Sequence, residues 1–177
     1  MGNKIQCFEY ILYQLISWYK ELRPTDVSLL SFTRLKVLKL LFFVSVVRQE
    51  DEPDLLDIFN NFYAMQHGPV ESDIYTAMTA STLQHYKFKS RSIEVGSVRE
   101  QDFQFLDSNI RNRIVNSINL LRQRNKNIVT YTASQLVNLS HKWDSWKMSM
   151  HIAEVEDKGS APMNVDLIRS DKQYFVL

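Results

Sequence analysis

Cysteine, glycine and proline are all scarce in this chain of 177 residues, which holds one Cys, four Gly and four Pro. A lone cysteine, Cys7, cannot close an internal disulfide, which excludes a disulfide-stapled fold and fits a reducing compartment. Widely separated glycines cannot build a phosphate-cradling loop, a nucleophile elbow or a dinucleotide fingerprint, so nucleotide chemistry is disfavoured. So few turn formers also argue against a β-sandwich and for long helices. No apolar run reaches the roughly 20 residues of a membrane span. The longest, Val37 to Val47, is interrupted by Lys39 and reads as buried helix. The start, Met1 to Tyr10, lacks the basic-then-apolar pattern of a secretory signal, so a cytoplasmic location is expected. Neither sign of charge dominates, since 21 Lys and Arg face 20 Asp and Glu, leaving no global attraction to nucleic acid or anionic lipid.

Catalytic constellations are equally sparse. No two of His67, His85, His141 and His151 fall at the spacing of helix-borne metal ligands, so no metal is expected. Cys7 lies on the flank of an amphipathic stripe and reads as buried and inert. The only clustered carboxylates, Glu50, Asp51, Glu52, Asp54 and Asp57, read as ordinary solvated charges rather than a tuned acid and base. The expectation is therefore a binding protein with no catalytic residues and no cofactor. An enzyme whose residues converge only in three dimensions is the contrasting alternative.

What is present is apolar surface: 45% hydrophobic and 12% aromatic residues suffice for one core. The expected architecture is a mainly α, single compact helical domain over 1–177, with a small β-hairpin at its edge and 157–177 as a C-terminal extension docking back. Ile5, Phe8, Leu12, Leu15, Tyr19 and Leu22 repeat at helical spacing ahead of Pro24 and predict a first helix. A second, capped by Ser31 and running from Phe32 to about Arg48, is apolar nearly all round and belongs at the centre. Its Lys36 and Lys39 must reach water or a partner. Leu55 to Met65 reads as short irregular elements, His67-Gly68-Pro69 as a turn that can place Gly68 at positive φ, and Ser72 to about Ala80 as a helix. Gln84 to Val98 suits the hairpin. Phe103, Leu106, Ile110, Ile114, Ile118 and Leu121 mark another helix, and Thr132 with Gln135 forms a capping box opening a helix through His141. Asp157 to Pro162 reads as loop, followed by a last apolar element.

Charge is uneven along the chain. Ser108 to Trp143 contains Arg111, Arg113, Arg122, Arg124, Lys126 and Lys142 and no acid. This stretch lacks the aromatic interleaving of a nucleic-acid module, so it reads as a solvated face, a partner-binding surface or an intramolecular complement to the acidic loop.

Read in order, three stretches resemble the Panacea antitoxin domain, the family that includes the SocA-like antitoxins of bacteria and their phages. Thr33 to Phe43 is similar to the family's early helix, with Lys39 at its lysine position. Phe62 to Val70 resembles the central Gly-Pro-Val motif, here His67-Gly68-Pro69-Val70, with Tyr75 beyond it. Thr132 to Trp146 resembles the ending, with Leu136, Ser140-His141 and Trp146. Met65 departs from the tryptophan common before the Gly-Pro-Val motif, and no proline precedes Trp146. The resemblance spans roughly Phe8 to Met150. It implies a mostly α-helical domain without catalysis that neutralises a toxin encoded beside it, usually by direct contact. Family toxins include alarmone-synthetase-type translation inhibitors and membrane-active peptides, and some SocA-like members deliver the toxin to a protease. Gly68 and Pro69 are expected to shape a turn and Trp146 to fill the core, whereas Lys39, His67 and His141 are open to either a structural or a binding role.

Overall fold

The computed structural model describes every residue except Met1, Val27, Ser28, Glu50, Asp51, Ser90 and Arg91. Glu50 and Asp51 of the acidic loop therefore lie outside the described residues, as do two residues of the expected hairpin turn. The fold is mainly α, with a three-stranded antiparallel sheet and a separate two-stranded hairpin.

Helix α1 (Gly2–Leu22) buries Phe8, Ile11, Leu12, Leu15 and Trp18. Helix α2 (Arg34–Val46) has every residue from Lys36 to Val46 buried, as its unbroken apolar surface requires of a central helix. It begins later than expected. Ser31 is not the cap; the Thr33 hydroxyl accepts the Lys36 N–H in that role.

Strands β1 (Phe62–Met65) and β2 (Gly68–Glu71) form a tight antiparallel hairpin with Met65 opposite Gly68. Gly68, at φ 89°, completes the reversal in a region open to glycine. Helix α3 (Ser72–Thr79) follows at once, capped by Glu71, whose buried carboxylate accepts the N–H groups of Ile74 and Asn61 and pairs with Lys4. The edge hairpin is β3 (Tyr86–Phe88) with β4 (Ile93–Val95), anchored through buried Tyr86, Phe88 and Ile93. It is tied to α1 by Glu9, buried, accepting the His85 N–H.

The next helical stripe is split. Phe103 ends a separate 3-10 turn (Glu100–Phe103), and helix α4 (Ser108–Arg124) starts only where the Asp107 carboxylate accepts the N–H groups of Asn109 and Ile110. Helix α5 (Ala133–Ser140) has the expected Thr132–Gln135 capping box and ends with His141 as its C-terminal cap. Helix α6 (Asp144–Val155) follows almost immediately. The expected loop at 157–162 contains a strand, β5 (Ser160–Pro162), which pairs with β1 to give the order β2-β1-β5. Pro162 is tolerated because β5 is an edge strand. Helix α7 (Val165–Ser170) leads into a C-terminal segment that lies back on the molecule, burying Phe175 against Trp143 and Phe43. Helices α4 and α5 both pack on α2, and α6 packs on β1 and β5.

The core tryptophan differs from the expected one. Trp143 is fully buried among Phe42, Phe43, Tyr174 and Phe175, whereas Trp146 is only half-buried. The break between α5 and α6 resets the helical phase, so the inward position falls at 143.

Candidate functional site

The β1–β2 turn gathers side chains from α2, α5 and α6. Beneath it, Lys39 is wholly buried, and its ammonium Nζ donates to the Pro69 carbonyl at 2.6 Å. Burial alone pushes this lysine's pKa down to about 7. From α5, the Ser140 hydroxyl donates to the Val137 carbonyl and sits against the turn. A Cβ at position 68 would fall 2.3 Å from Ser140 Oγ and 3.1 Å from Lys39 Cε, so only glycine fits between the two helices. His141 stacks on Trp146 with ring centroids 3.8 Å apart and planes 7° from parallel. Trp146 Nε1 in turn donates to the Met65 carbonyl at 3.1 Å, holding α6 to the end of β1.

The electrostatics of this cluster favour neutral side chains. Burial, then the charges of Lys39 and His67, lower the pKa of His141 below the ordinary histidine value. His141 Nε2 is enclosed and lacks a hydrogen-bond partner. Lys36, one turn before Lys39, is also fully buried and was expected to reach water or a partner. Its Nζ has no hydrogen-bond partner among the described residues and lies 4.9 Å from the Phe32 ring and 5.1 Å from that of Tyr19.

Lys39, Gly68, Pro69, His141 and Trp146, drawn from three separate sequence stretches, thus share one site. Val70 and Leu136 are buried in the core nearby, His67 is exposed at the tip of the turn, and Tyr75 lies on the open side of α3, 40% exposed.

The basic residues of the acid-free stretch do not form one patch. Arg113 is clasped to the Asp57 carboxylate and the Asp54 carbonyl, and Arg122 pairs with Glu21 over the Trp18 ring. Arg111 is half-buried, while Arg124 and Lys126 are exposed. Nor is the acidic loop simply solvated: Asp54 is buried, 6% exposed, and receives two hydrogen bonds from Arg169 of α7. Among the described residues no group of three or more His, Cys, Asp or Glu side chains is arranged to hold a metal ion, and no helix is long and apolar enough to cross a membrane.

Sequence reading missed two features of the surroundings. One is the Asp54–Arg169 pair, whose partners lie 115 positions apart. The other is the outer face of α6, where Met148, Ile152 and Val155 are exposed. Its signal was present in Ser145, Ser149 and Ala153, small residues at four-residue spacing that take the buried face.

Comparison of the chain with models of known protein families, with curated proteins and with solved structures gave no match.

Proposed function

We propose that this protein is an antitoxin, which neutralises a cognate toxin encoded beside it by direct protein contact. The observation that carries this reading is the interlock at the β1–β2 turn. The stretches that resemble the Panacea domain are far apart in sequence, yet Lys39, Gly68-Pro69, Ser140-His141 and Trp146 depend on one another for space and hydrogen bonds. Three coincidental motifs have no reason to meet. The turn also presents a surface suited to protein contact, with Gln66 and His67 exposed at its tip and the half-buried His141–Trp146 stack beside them. Translation inhibitors of the alarmone-synthetase type are among the toxins this reading allows.

The test is growth. Expression of the neighbouring gene alone should arrest cells, and co-expression of this protein should restore growth. A neighbour that is harmless alone, or that stays lethal beside soluble protein, contradicts the proposal. Rescue confined to protease-proficient cells replaces occlusion by the adaptor mechanism.

A further inference from the structure

On helix α6 the small residues Ser145, Ser149 and Ala153 face the sheet and are buried and Trp146 and Met150 are partly buried, while three large apolar residues are open to solvent: Met148 is 54% exposed, Ile152 49% and Val155 73%. These three lie at helical spacing, i, i+4 and i+7, and form one continuous stripe. An apolar stripe directed at water with no packing role of its own marks an interaction surface.

We propose that this stripe pairs with the same stripe of a second copy, the two α6 helices running antiparallel about a two-fold axis. Charge decides both the partner and the direction. Lys147 and Glu154 are exposed, two helical turns apart, and flank the stripe on the same side. In a parallel two-fold pair this flank would face the partner's opposite flank, where Ser145, Ser149 and Ala153 are buried against the sheet, so neither charge would find a partner. In an antiparallel two-fold pair, residues on one flank meet the same flank reversed, so Lys147 lies opposite the partner's Glu154 and Glu154 opposite the partner's Lys147. The midpoint of Lys147 and Glu154 and the midpoint of Met148 and Val155 differ by one residue, about 1.5 Å along the axis. One axis therefore serves the charge pairs and the apolar stripe together, with Met148 meeting the partner's Val155. The present Lys147–Asp144 pair is exposed at both ends and rearranges at little cost. The antiparallel direction also opposes the two helix dipoles favourably.

A single helix pair is smaller than a permanent interface, so the dimer is weak and reversible, with Kd of about 10–100 µM. Sedimentation velocity on the full chain from about 5 to 500 µM brackets that range. The wild type should pass from monomer to dimer. Ile152→Glu should stay monomeric at every concentration with an unchanged melting temperature, because the side chain is exposed in the monomer. Lys147→Glu should raise Kd at least about threefold, and adding Glu154→Lys to it should return Kd to within about twofold of wild type. A wild type monomeric throughout, or an Ile152→Glu variant that still dimerises, overturns the proposal. A double swap as weak as the single variant overturns the antiparallel register. Should Ile152→Glu abolish capture of the toxin while the wild type never self-associates, the stripe belongs to that partner and self-pairing is wrong.

Discussion

Gly68 stands at φ 89°, with the Ser140 hydroxyl 2.3 Å from where a side chain would begin. Alanine there meets both a disfavoured backbone region and a contact with a short, helix-borne side chain. Gly68→Ala should cost about 2–4 kcal/mol in urea denaturation, and Gly68→Val more. Stability equal to wild type would mean that the turn relaxes freely and that the interlock is loose. Lys39 offers a different signature. Its pKa in the fold is about 7, whereas the unfolded chain holds the proton to about 10.4. Between these values the unfolded state binds more protons, so stability rises with pH; below about 7 both states are protonated and the cost of the buried charge is present in full. Lys36, lowered to about 8 by burial, acts in the same direction. Lys39→Met should therefore flatten the rise in stability between about pH 7 and 10, by an amount on the order of a few kcal/mol. Parallel pH profiles for wild type and variant would show that Lys39 titrates normally.

At the scale of elements, the short join between α5 and α6 does most to set the site. His141 closes α5, α6 opens at Asp144, and the change of phase sends Trp143 inward and leaves Trp146 to stack on His141. Trp143→Ala should cost about 3–5 kcal/mol in chemical denaturation, and Trp146→Ala about 1–2 kcal/mol. An equal or larger loss at Trp146 would reverse this assignment. The helices α1 and α4 were largely legible in the sequence because their apolar periodicity is local and long, and α2 because its apolar run is continuous. Trp143 was not, because either tryptophan satisfies a helical stripe until the break is located. Strand β5 was equally hidden: Ser160, Ala161 and Pro162 carry no alternation, and the strand exists only because β1, almost 100 positions earlier, offers it an edge. Lys39 and Gly68 stood out from the residues themselves, as a lysine on a buried helix and a turn glycine, and His67, His141 and Trp146 were grouped with them through the family resemblance; their spatial meeting depends on long-range packing that periodicity does not encode. Helix α6 itself, and with it the exposed stripe, was not read from the sequence, because its buried positions hold the small residues Ser145, Ser149 and Ala153 instead of an apolar stripe.

Over the whole molecule, the sequence suggests opposite poles of charge, and the fold joins them at Asp57 and Arg113 and pairs others of their charges elsewhere, Arg122 with Glu21 and Asp54 with Arg169. These pairs stitch α1, the loop after α2 and α7 onto the body, leaving Arg124 and Lys126 as exposed cations at the far end of α4. The molecule that results has a central helix buried from Lys36 to Val46, an interlocked turn at the surface and a net charge of only +1. The most direct test of the antitoxin account uses two purified proteins and nothing else: the toxin's activity is followed while this protein is added in increasing amounts. The account predicts that activity falls in proportion to added protein and is abolished at a fixed stoichiometric ratio, with a stable complex recovered from the mixture. Full toxin activity in the presence of excess folded protein, with no complex formed, would contradict neutralisation by direct contact.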